Sequence, residues 1–413
     1  MKSDLKTVLY LSYTGMTDPL GQSQVLAYLA ALGKQGSYRF VIVSFEKPEA
    51  YQRLRATIEG LCAQAGIEWH PLTYTVKPPV VSTFRDVIRM RRKSVELMAR
   101  HSFSLVHCRS YIPSLTGLYL KKKFGIPFLF DMRGFWADER LDGNIWRLSN
   151  PLYRIIYQYF KKKEKQFLLN ANHIVSLTRN ARDVIWSWTL ATAPLPITVI
   201  PCCVDMALFN PQNVSAGMQA QARHALGIPQ GANVISYVGS LGTWYMLPEM
   251  MAFVKQYFDA FPGAYFMILT GEPEQMVHDA AQQNGVDIQR IRIKKVPRAE
   301  MPIYISLSTL SIFFIKPAFS KKASSPVKQG ELMAMGIPIV CNDSVGDTGE
   351  IIEAYKAGVV LDSFTPHAYA HAVAQLKENQ FNKHQIILGA RQEYSLEHGV
   401  NSYASVYQKI LHD

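Results

Sequence analysis

The sequence contains few cysteines and no long apolar segment. Its five cysteines show no CxxC spacing, so neither a disulfide framework nor a zinc site is indicated. No uninterrupted apolar run reaches the roughly 18–20 residues that a bilayer span needs. The first four residues, MKSD, are too polar for a signal peptide, and we therefore expect a cytoplasmic protein. The cysteines are Cys62, Cys108, Cys202, Cys203 and Cys341.

Charged residues are also sparse, at 18%, whereas hydrophobic residues make up 48%. This composition is globular and excludes a disordered, collagen-like or coiled-coil chain. A length of 413 residues indicates two domains at the usual domain size. The eleven histidines are dispersed and do not pair with carboxylates at ligand spacing, so we expect neither a metal site nor a bound cofactor.

The positive charge is concentrated in the first half of the chain. Residues 1–200 contain 28 lysines and arginines against 14 acidic residues, whereas residues 201–413 contain 16 against 18. Such asymmetry indicates an anionic partner for the first half: a phosphorylated molecule, an anionic membrane surface or a nucleic acid. Because no recognised nucleic-acid motif accompanies the charge, we do not expect nucleic acid to be the partner.

Short apolar strands alternate with helical patterns along the whole chain. In the first half, strands are predicted at 7–12, 38–45, 104–108, 127–130 and 173–177. After a boundary near 189–196 they recur at 234–238, 264–269, 292–295, 310–315, 338–341 and 358–361. Continuous apolar strands separated by helices predict an α/β protein with two doubly wound, Rossmann-like domains that face a cleft. We assign residues 1–195 to the first domain and 196–389 to the second, and expect a closing helix at 390–413 to pack back on the first.

Two segments of the second half have the features of an anion site. The turn Val238-Gly239-Ser240-Leu241-Gly242 lies between a strand and a helix opening near Pro248, where backbone N–H groups and the helix dipole attract phosphate. The segment Lys316–Gly336 places lysines and hydroxyls before an apolar helical run that is predicted to open at Glu331. Such groups suit a diphosphate and ribose hydroxyls, although an ordinary tight turn and a solvated basic loop explain the same residues.

Two segments of the first half follow predicted strands. Phe130–Asp142 contains Asp131, Arg133 and Asp138 directly after a strand, where active sites form in parallel sheets. A structural ion-pair network would look the same in the sequence. The loop before the first helix brings Gly21 and Gln22 to a position where they could approach a substrate or simply make a turn.

Together these motifs resemble the family 4 glycosyltransferases. The resemblance rests on the early Gly21 loop, on Val199–Asp205 with Phe209, on Tyr237-Val238-Gly239, and most strongly on 331–338 (ELMAMGIP), which is similar to the family's EAMACGxP. Residues 324–328 (SSPVK) are similar to a version found in bacterial surface-polysaccharide enzymes. The resemblance implies the two-domain GT-B architecture and retaining transfer of a sugar from a nucleotide diphosphate sugar to an acceptor.

The chain departs from the family pattern at four positions. Ala323 stands where the family has the first Glu of its E-x7-E pair, and Ser240 and Tyr245 stand where it has a basic pair; Arg133 aligns with its histidine. Our hypothesis is therefore that Lys328, assisted by Lys316 or Lys322, replaces the missing cations at the diphosphate, and that Glu331 orients the ribose.

The resulting assignments cover three groups of residues. We expect Lys328, Glu331, Asp131 and Arg133 to be catalytic; Gly239, Ser240, Lys316, Lys322, Ser324, Ser325, Val327 and Glu331 to bind the donor; and Gly21, Gln22, Arg109 and Asp138 to bind the acceptor. The expected partners are a nucleotide-sugar donor and a glycan or lipid-linked acceptor, used in building a cell-surface polysaccharide. Two alternatives remain open: a catalytically impaired nucleotide-sugar-binding scaffold, and a GT-B nucleotide-sugar epimerase.

One basic, aromatic segment predicts membrane association. Residues 147–165 (RLSNPLYRIIYQYFKKKEK) interleave aromatic and aliphatic side chains with cations, and residues 89–93 and 121–123 add further basic clusters. Such a stretch suits an anionic lipid surface on the inner face of the plasma membrane, although a core-facing stripe with a solvated lysine face has the same pattern.

Overall fold

The computed structural model describes residues 5–78 and 80–412 and divides into two compact units. The first unit runs to Pro201 and also includes the chain from Leu396, whereas the second comprises Cys202–Ser395. In residues 5–78 and 80–412, no helix has both the length and the apolar composition needed to cross a bilayer.

The first unit is built on a seven-stranded parallel sheet in the order β3-β2-β1-β4-β5-β6-β7. The strands are β1 (Lys6–Ser12), β2 (Tyr38–Glu46), β3 (Glu68–Thr73), β4 (Phe103–Arg109), β5 (Phe128–Asp131), β6 (His173–Ser176) and β7 (Ile197–Val199). The helices are α1 (Pro19–Gly21), α2 (Ala27–Lys34), α3 (Pro48–Gln64), α4 (Val81–Met98), α5 (Tyr111–Phe124), α6 (Trp136–Asp142), α7 (Pro151–Asn170) and α8 (Arg179–Ser187), with a π-helical turn at Gln22–Leu26. Central strands such as β1 and β5 are buried, as expected for a sheet covered on both faces.

The second unit has a six-stranded parallel sheet in the order β10-β9-β8-β11-β12-β13. Its strands are β8 (Val234–Val238), β9 (Tyr265–Leu269), β10 (Ile291–Lys294), β11 (Leu310–Phe313), β12 (Ile339–Asn342) and β13 (Gly358–Leu361). Its helices are α9 (Ala216–Leu226), α10 (Leu247–Ala260), α11 (Glu274–Gln283), α12 (Met301–Ile305), α13 (Val327–Ala334), α14 (Thr348–Ala354), α15 (Pro366–Glu378) and α16 (Lys383–Tyr394). Short 3₁₀ segments occur at Pro211–Asn213, Ile288–Arg290, Arg298–Glu300 and Phe319–Ala323.

The last helix, α17 (Leu396–His412), belongs to the first unit and packs against α2. Its apolar side includes Tyr403, Val406, Tyr407 and Ile410, all of which are buried.

The predicted pair of parallel, doubly wound sheets is confirmed. The second unit begins and ends later in the chain than predicted: it comprises Cys202–Ser395, whereas the sequence indicated 196–389. Ile197–Val199 pair with β6 and so extend the first sheet. At the other end, α16 packs on α13 and belongs to the second unit throughout.

Candidate functional site

The glycine turn after β8 is shaped by a close approach of Lys328. Gly239 has a φ of +119°, and a Cβ placed there would lie 3.0 Å from the Lys328 Nζ. Any other residue would be strained at this positive φ, and its Cβ would press against the amine, which explains the glycine. The turn is followed by α10, which begins at Leu247 with Pro248 in its first turn.

Lys328 lies in the first turn of α13 and is 8% exposed. Its Nζ donates a 3.0 Å hydrogen bond to the Tyr237 hydroxyl and lies 3.8 Å from the centre of the Tyr245 ring. Burial lowers the pKa of this amine well below its usual value, against the opposing charge of Glu331. A partly dehydrated amine at a glycine turn is equipped to bind an anion.

Glu331 lies one turn further along α13 and is held by an arginine that the sequence did not single out. Its Oε1 lies 2.7 Å from Arg298 Nη1, and only 8% of its side chain is exposed. Burial raises the pKa of Glu331, whereas Arg298 acts to lower it. Arg298 follows β10 in a 3₁₀ turn. Its place just beyond the carboxyl end of a strand is the feature of the sequence by which it could have been predicted as a site residue.

The segment before α13 divides its polar side chains between the surface and the interior. Lys316 and Lys322 are exposed, whereas Lys321 is buried with its Nζ 3.6 Å from the centre of the Trp244 ring. Ser324 is half-buried. The Ser325 hydroxyl accepts a 3.1 Å hydrogen bond from the Cys202 backbone N–H, which connects this segment to the start of the unit.

The helix after this segment begins earlier than the sequence pattern indicated. The apolar periodicity placed its opening at Glu331, but α13 starts at Val327, half-buried and directly after Pro326. Lys328 is therefore helical, and its position relative to Glu331 is set by the helix. Of the predicted residues, Gly239 lies at the carboxyl end of β8, and Lys328 and Glu331 lie on α13. The Lys328 amine brings the helix and the glycine turn together.

In the first unit, Asp131 ends β5 and is 1% exposed. Its Oδ2 accepts a 3.1 Å hydrogen bond from the Tyr403 hydroxyl and lies 3.4 Å from His107 Nε2. Arg109 Nη1 is 3.9 Å from Oδ2 and Arg133 Nη1 is 3.9 Å from Oδ1. Burial alone would raise the pKa of Asp131, but the charges of Arg133 and Arg109 and the His107 contact hold it below its usual value.

His107 is the imidazole of this buried group. Burial lowers the pKa of its imidazole, although the Asp131 carboxylate acts in the opposite direction. Its Nδ1 lies 2.7 Å from the Tyr407 hydroxyl. Tyr403 and Tyr407 come from α17, and no sequence motif pointed to them; the buried aromatic stripe of a terminal helix is the only signal that they give.

Arg133 occupies a strained backbone position. Its φ is +58°, and the following Gly134 has a φ of +123°. A non-glycine residue in the left-handed region costs free energy, on the order of 1–3 kcal/mol, and such strain concentrates at functional sites. The structure thus brings together the predicted Asp131, Arg133 and Arg109.

Three other predicted residues have structural partners. Both Asp138 oxygens are engaged, Oδ1 by the Tyr157 hydroxyl at 2.8 Å and Oδ2 by Lys161 at 2.9 Å. A Cβ on Gly21 would lie 1.9 Å from the Gly15 carbonyl oxygen, so this glycine is needed for packing. Gln22 donates a 3.3 Å hydrogen bond to the Thr17 carbonyl. Their contact with an acceptor stays a prediction.

Two sequence-family descriptions match consecutive parts of the chain. Residues 21–208 match "Glycosyltransferase Family 4", and residues 218–393 match "Glycosyl transferases group 1". The chain belongs to the family 4 glycosyltransferases. The resemblance drawn from Glu331–Pro338 and the glycine turn is confirmed.

Comparison with individual proteins supports this family and the GT-B fold. A D-inositol 3-phosphate glycosyltransferase from Segniliparus rotundus is 22% identical over 284 residues, which is 67% of this chain and 58% of the relative, so the chain spans less than two thirds of that relative's length. A glycosyltransferase from Rickettsia africae has a TM-score of 0.73 at 14% identity, covering 99% of both chains. Anabaena HepE, solved in complex with UDP-glucose, has a TM-score of 0.67 at 13% identity and covers 97% of this chain and 99% of HepE.

Three of the four departures from the family 4 pattern lie in the second unit, two of them after β8 near the Lys328 amine. Tyr245 contacts it, and Ser240 is exposed at the glycine turn. Ala323 is 2% exposed and ends the 3₁₀ segment before α13. Among residues 5–78 and 80–412, no group of three or more histidine, cysteine or acidic side chains is placed to hold a metal ion.

Proposed function

We propose that this family 4 member transfers a sugar, with retention, from a nucleotide diphosphate sugar to a hydroxyl acceptor without a metal ion. The observation that carries the proposal is the buried Lys328 amine beside Gly239, on the same helix as the Arg298-bound Glu331. The solved HepE complex, which contains UDP-glucose, supports a uridine nucleotide as the first donor to test.

The proposed chemistry needs stabilisation of charge on the leaving diphosphate. As the bond to the anomeric carbon breaks, negative charge grows on the phosphate oxygens, and fixed cations and backbone N–H groups stabilise it. Lys328 and the Gly239 turn supply these groups. Glu331, oriented by Arg298, accepts hydrogen bonds from the ribose hydroxyls. A phosphate oxygen takes the proton of the acceptor hydroxyl, so no protein base is required.

Nucleotide binding tests this donor site directly. Melting temperatures of the wild type, Lys328→Ala and the control Lys255→Ala are measured with UDP, GDP, ADP, CDP and dTDP, with and without Mg²⁺. Lys255 lies in α10 of the same unit, half-exposed and near Asp259. Binding raises the stability of the folded chain, by roughly 2.7 kcal/mol at a hundredfold excess over Kd. We expect one nucleotide to raise the melting temperature of the wild type and of Lys255→Ala without Mg²⁺. The same rise in Lys328→Ala would contradict the assignment of Lys328 to the donor site.

The acceptor and the pathway form the second part of the proposal. We infer that Asp131, Arg133 and Arg109 position a glycan or lipid-linked acceptor in the synthesis of a cell-surface polysaccharide. The support is the buried charged cluster at the carboxyl end of β4 and β5, where parallel sheets bind ligands. Product analysis with lipid-linked and water-soluble acceptors tests it. Asp131→Asn should lower kcat while leaving nucleotide affinity unchanged.

A basic surface of the first unit supports association with an anionic membrane from the cytoplasmic side. Helix α5 packs against both α4 and α7. Cations of all three helices lie near one another, since burial and the charges of Lys122, Lys162 and Arg91 together lower the pKa of Lys163. On α7 the side chains of Leu152, Ile155 and Tyr159 are exposed, with Ile155 at 64%. Exposed apolar residues beside several cations suit a lipid headgroup region, where each cation contributes about 1 kcal/mol.

Vesicle sedimentation tests this surface. The wild type should sediment with phosphatidylglycerol vesicles at low salt and stay in solution with phosphatidylcholine vesicles. Ile155→Ser and Lys162→Glu should weaken sedimentation, whereas Leu388→Ser, an exposed leucine of α16 in the second unit, should not. Equal sedimentation of all four proteins would refute this part of the proposal.

A catalytically impaired nucleotide-sugar scaffold is the second candidate. It is favoured by the buried Ala323 and by Ser240 and Tyr245, which replace charged residues of the family pattern. Nucleotide binding without turnover of any donor would support it. An epimerase would convert the nucleotide sugar without an acceptor, and product analysis separates it from a transferase.

A further inference from the structure

Two tyrosine rings enclose the Lys328 amine. Its Nζ lies 4.2 Å from the centre of the Tyr237 ring and 3.8 Å from that of Tyr245. The two rings meet edge to face, with centres 6.0 Å apart and an interplanar angle of 73°. An ammonium group within about 6 Å of an aromatic face is attracted by the ring quadrupole. The two rings therefore form a seat for a cation.

The Tyr237 hydroxyl orients this seat. It accepts the hydrogen bond from Lys328 Nζ at 3.0 Å and donates its own proton to the Ser240 carbonyl oxygen. Because the hydroxyl proton is directed to the backbone, an oxygen lone pair is left for the amine. The bond also connects Lys328 to the turn that contains Gly239.

The Tyr245 ring is held from the other side of the turn. The backbone of Tyr245 forms an antiparallel bridge with Ile315, and its N–H donates to the Gly242 carbonyl at 3.0 Å. The adjacent Lys316 N–H donates to the Trp244 carbonyl at 2.8 Å. These contacts fix the end of the turn to the chain just after β11, so the backbone that carries the Tyr245 ring is anchored.

We propose that Tyr237 and Tyr245 are positioning residues that hold the Lys328 amine beside Gly239, so that a single lysine serves the diphosphate where the family pattern has two cations. This inference rests on the proposed donor site. Tyr245 itself stands where the pattern places a lysine. A second ammonium group at that position would repel Lys328, whereas an aromatic face attracts it.

The arrangement also leaves the amine available to an anion. Within the described part of the chain, no carboxylate oxygen lies within 4.0 Å of Lys328 Nζ. An amine already paired with a carboxylate would have to give up that partner before it bound a phosphate. The aromatic faces hold the cation without a carboxylate in direct contact with it. A bound diphosphate would supply a negative partner and so offset the cost of burying the ammonium group.

Substitutions at position 245 separate the ring from the charge. Calorimetry measures the Kd of the nucleoside diphosphate that stabilises the wild type. Tyr245→Phe keeps the ring, and its Kd should stay within about twofold of the wild type. Tyr245→Leu removes the ring but keeps an apolar side chain, and should weaken binding roughly five- to twentyfold. Tyr245→Lys restores the family's cation but should also weaken binding. Wild-type affinity in Tyr245→Leu, or tighter binding in Tyr245→Lys, would overturn the proposal.

A second measurement needs no nucleotide. In NMR spectra of the protein with lysines labelled at ¹³Cε, the Lys328 resonance is identified by its absence in Lys328→Met. The two rings should move its chemical shift away from those of the other lysines. Tyr245→Leu should remove part of this displacement and lower the pH at which the resonance titrates, while Tyr245→Phe should change neither. An unchanged resonance in Tyr245→Leu would overturn the seat. If instead Lys328→Ala keeps full nucleotide affinity, the proposed donor site itself fails, whatever the Tyr245 variants do.

Discussion

Tyr403 in the last helix donates a 3.1 Å hydrogen bond to Oδ2 of Asp131, which ends the fifth strand of the chain. Tyr407, one turn later, contacts His107 of the neighbouring strand. Two hydroxyls from the end of the chain thus satisfy two buried polar groups at the candidate acceptor site. Their role is to orient Asp131 and His107.

Removal of the Tyr403 hydroxyl should destabilise the first unit. In Tyr403→Phe the buried Asp131 carboxylate loses one donor, and a hydrogen bond to a charged group is worth about 1.5–3 kcal/mol. Denaturant unfolding measures the loss. The control is Tyr38→Phe, because the Tyr38 ring also packs on Tyr407, at 5.1 Å, and none of its side-chain contacts in the described chain is a hydrogen bond to a carboxylate. Equal losses in the two variants would show that the Asp131 contact adds nothing.

Lys328 should make stability depend on pH above neutrality. Burial lowers the pKa of this amine in the folded chain, whereas in the unfolded chain it stays near 10.4. At a pH between the pKa of the folded chain and that of the unfolded chain, the unfolded chain binds the extra proton, so the free energy of unfolding rises with pH. Relative to Lys328→Met, the wild-type melting temperature should therefore increase from pH 7 towards pH 9.5. A constant difference between the two proteins would mean that the amine keeps an ordinary pKa.

Arg298 should govern the ribose contact of Glu331. In Arg298→Met the buried carboxyl group loses its cationic partner, its pKa rises, and it no longer accepts hydrogen bonds as a carboxylate. We expect the Kd of the nucleoside diphosphate to increase about tenfold, from loss of a charged hydrogen bond. A nucleotide that lacks both ribose hydroxyls should bind the wild type and Arg298→Met equally. A large difference for that nucleotide would assign Arg298 to the phosphates instead.

Gly21 should not tolerate a side chain. In Gly21→Ala the new Cβ would lie 1.9 Å from the Gly15 carbonyl oxygen, so the loop backbone must move. We expect a loss of about 1–3 kcal/mol or more in unfolding free energy. Gly33→Ala is the matched control, because its Cβ would be 3.6 Å from the nearest atom and the residue is helical. That variant should gain about 0.5–1 kcal/mol.

His173 should contribute to acid sensitivity. Burial, with a smaller effect of the Lys409 charge, lowers the pKa of its imidazole to about 4, and its Nε2 lies 2.8 Å from the Thr198 hydroxyl. In the unfolded chain the group titrates near 6.5, so wild-type stability is lost as the pH falls from about 6.5 towards 4. His173→Gln should reduce that loss in a series of thermal melts, whereas His412→Gln, at an exposed position, should not.

Strongly apolar elements were predictable and weakly apolar ones were not. The apolar runs predicted as strands, such as 7–12 and 310–315, contain strands, because burial on both sheet faces demands such runs, whereas the apolar run at 25–32 (VLAYLAAL) is helical. The edge strand β3 contains Pro71 and is half-buried, so it lacks that signal; β7 has only three residues and lies in a segment whose composition resembles a linker. Edge strands tolerate proline because one side of the strand needs no partner.

At the candidate sites, positions along the chain were predictable and partners were not. Asp131 and Lys328 follow predicted strands in the sequence. They could be predicted as site residues because parallel strands end at a common edge. Tyr403 reaches Asp131, and Arg298 reaches Glu331, from distant segments, and only the folded chain brings them there. The aromatic surroundings of Lys328 were hidden for the same reason: Tyr245 was visible only as a missing lysine.

The return of α17 to the first sheet has a consequence for synthesis on the ribosome. The first unit is encoded by two stretches separated by the whole of Cys202–Ser395. At typical elongation rates, roughly 10–40 s pass between completion of its sheet and the appearance of its last helix. During that interval His107 and Asp131 lack their tyrosine partners, and the face of α2 that α17 packs against stays uncovered. Until the second half has been translated, the nascent first half therefore exposes apolar and polar groups that the complete fold buries.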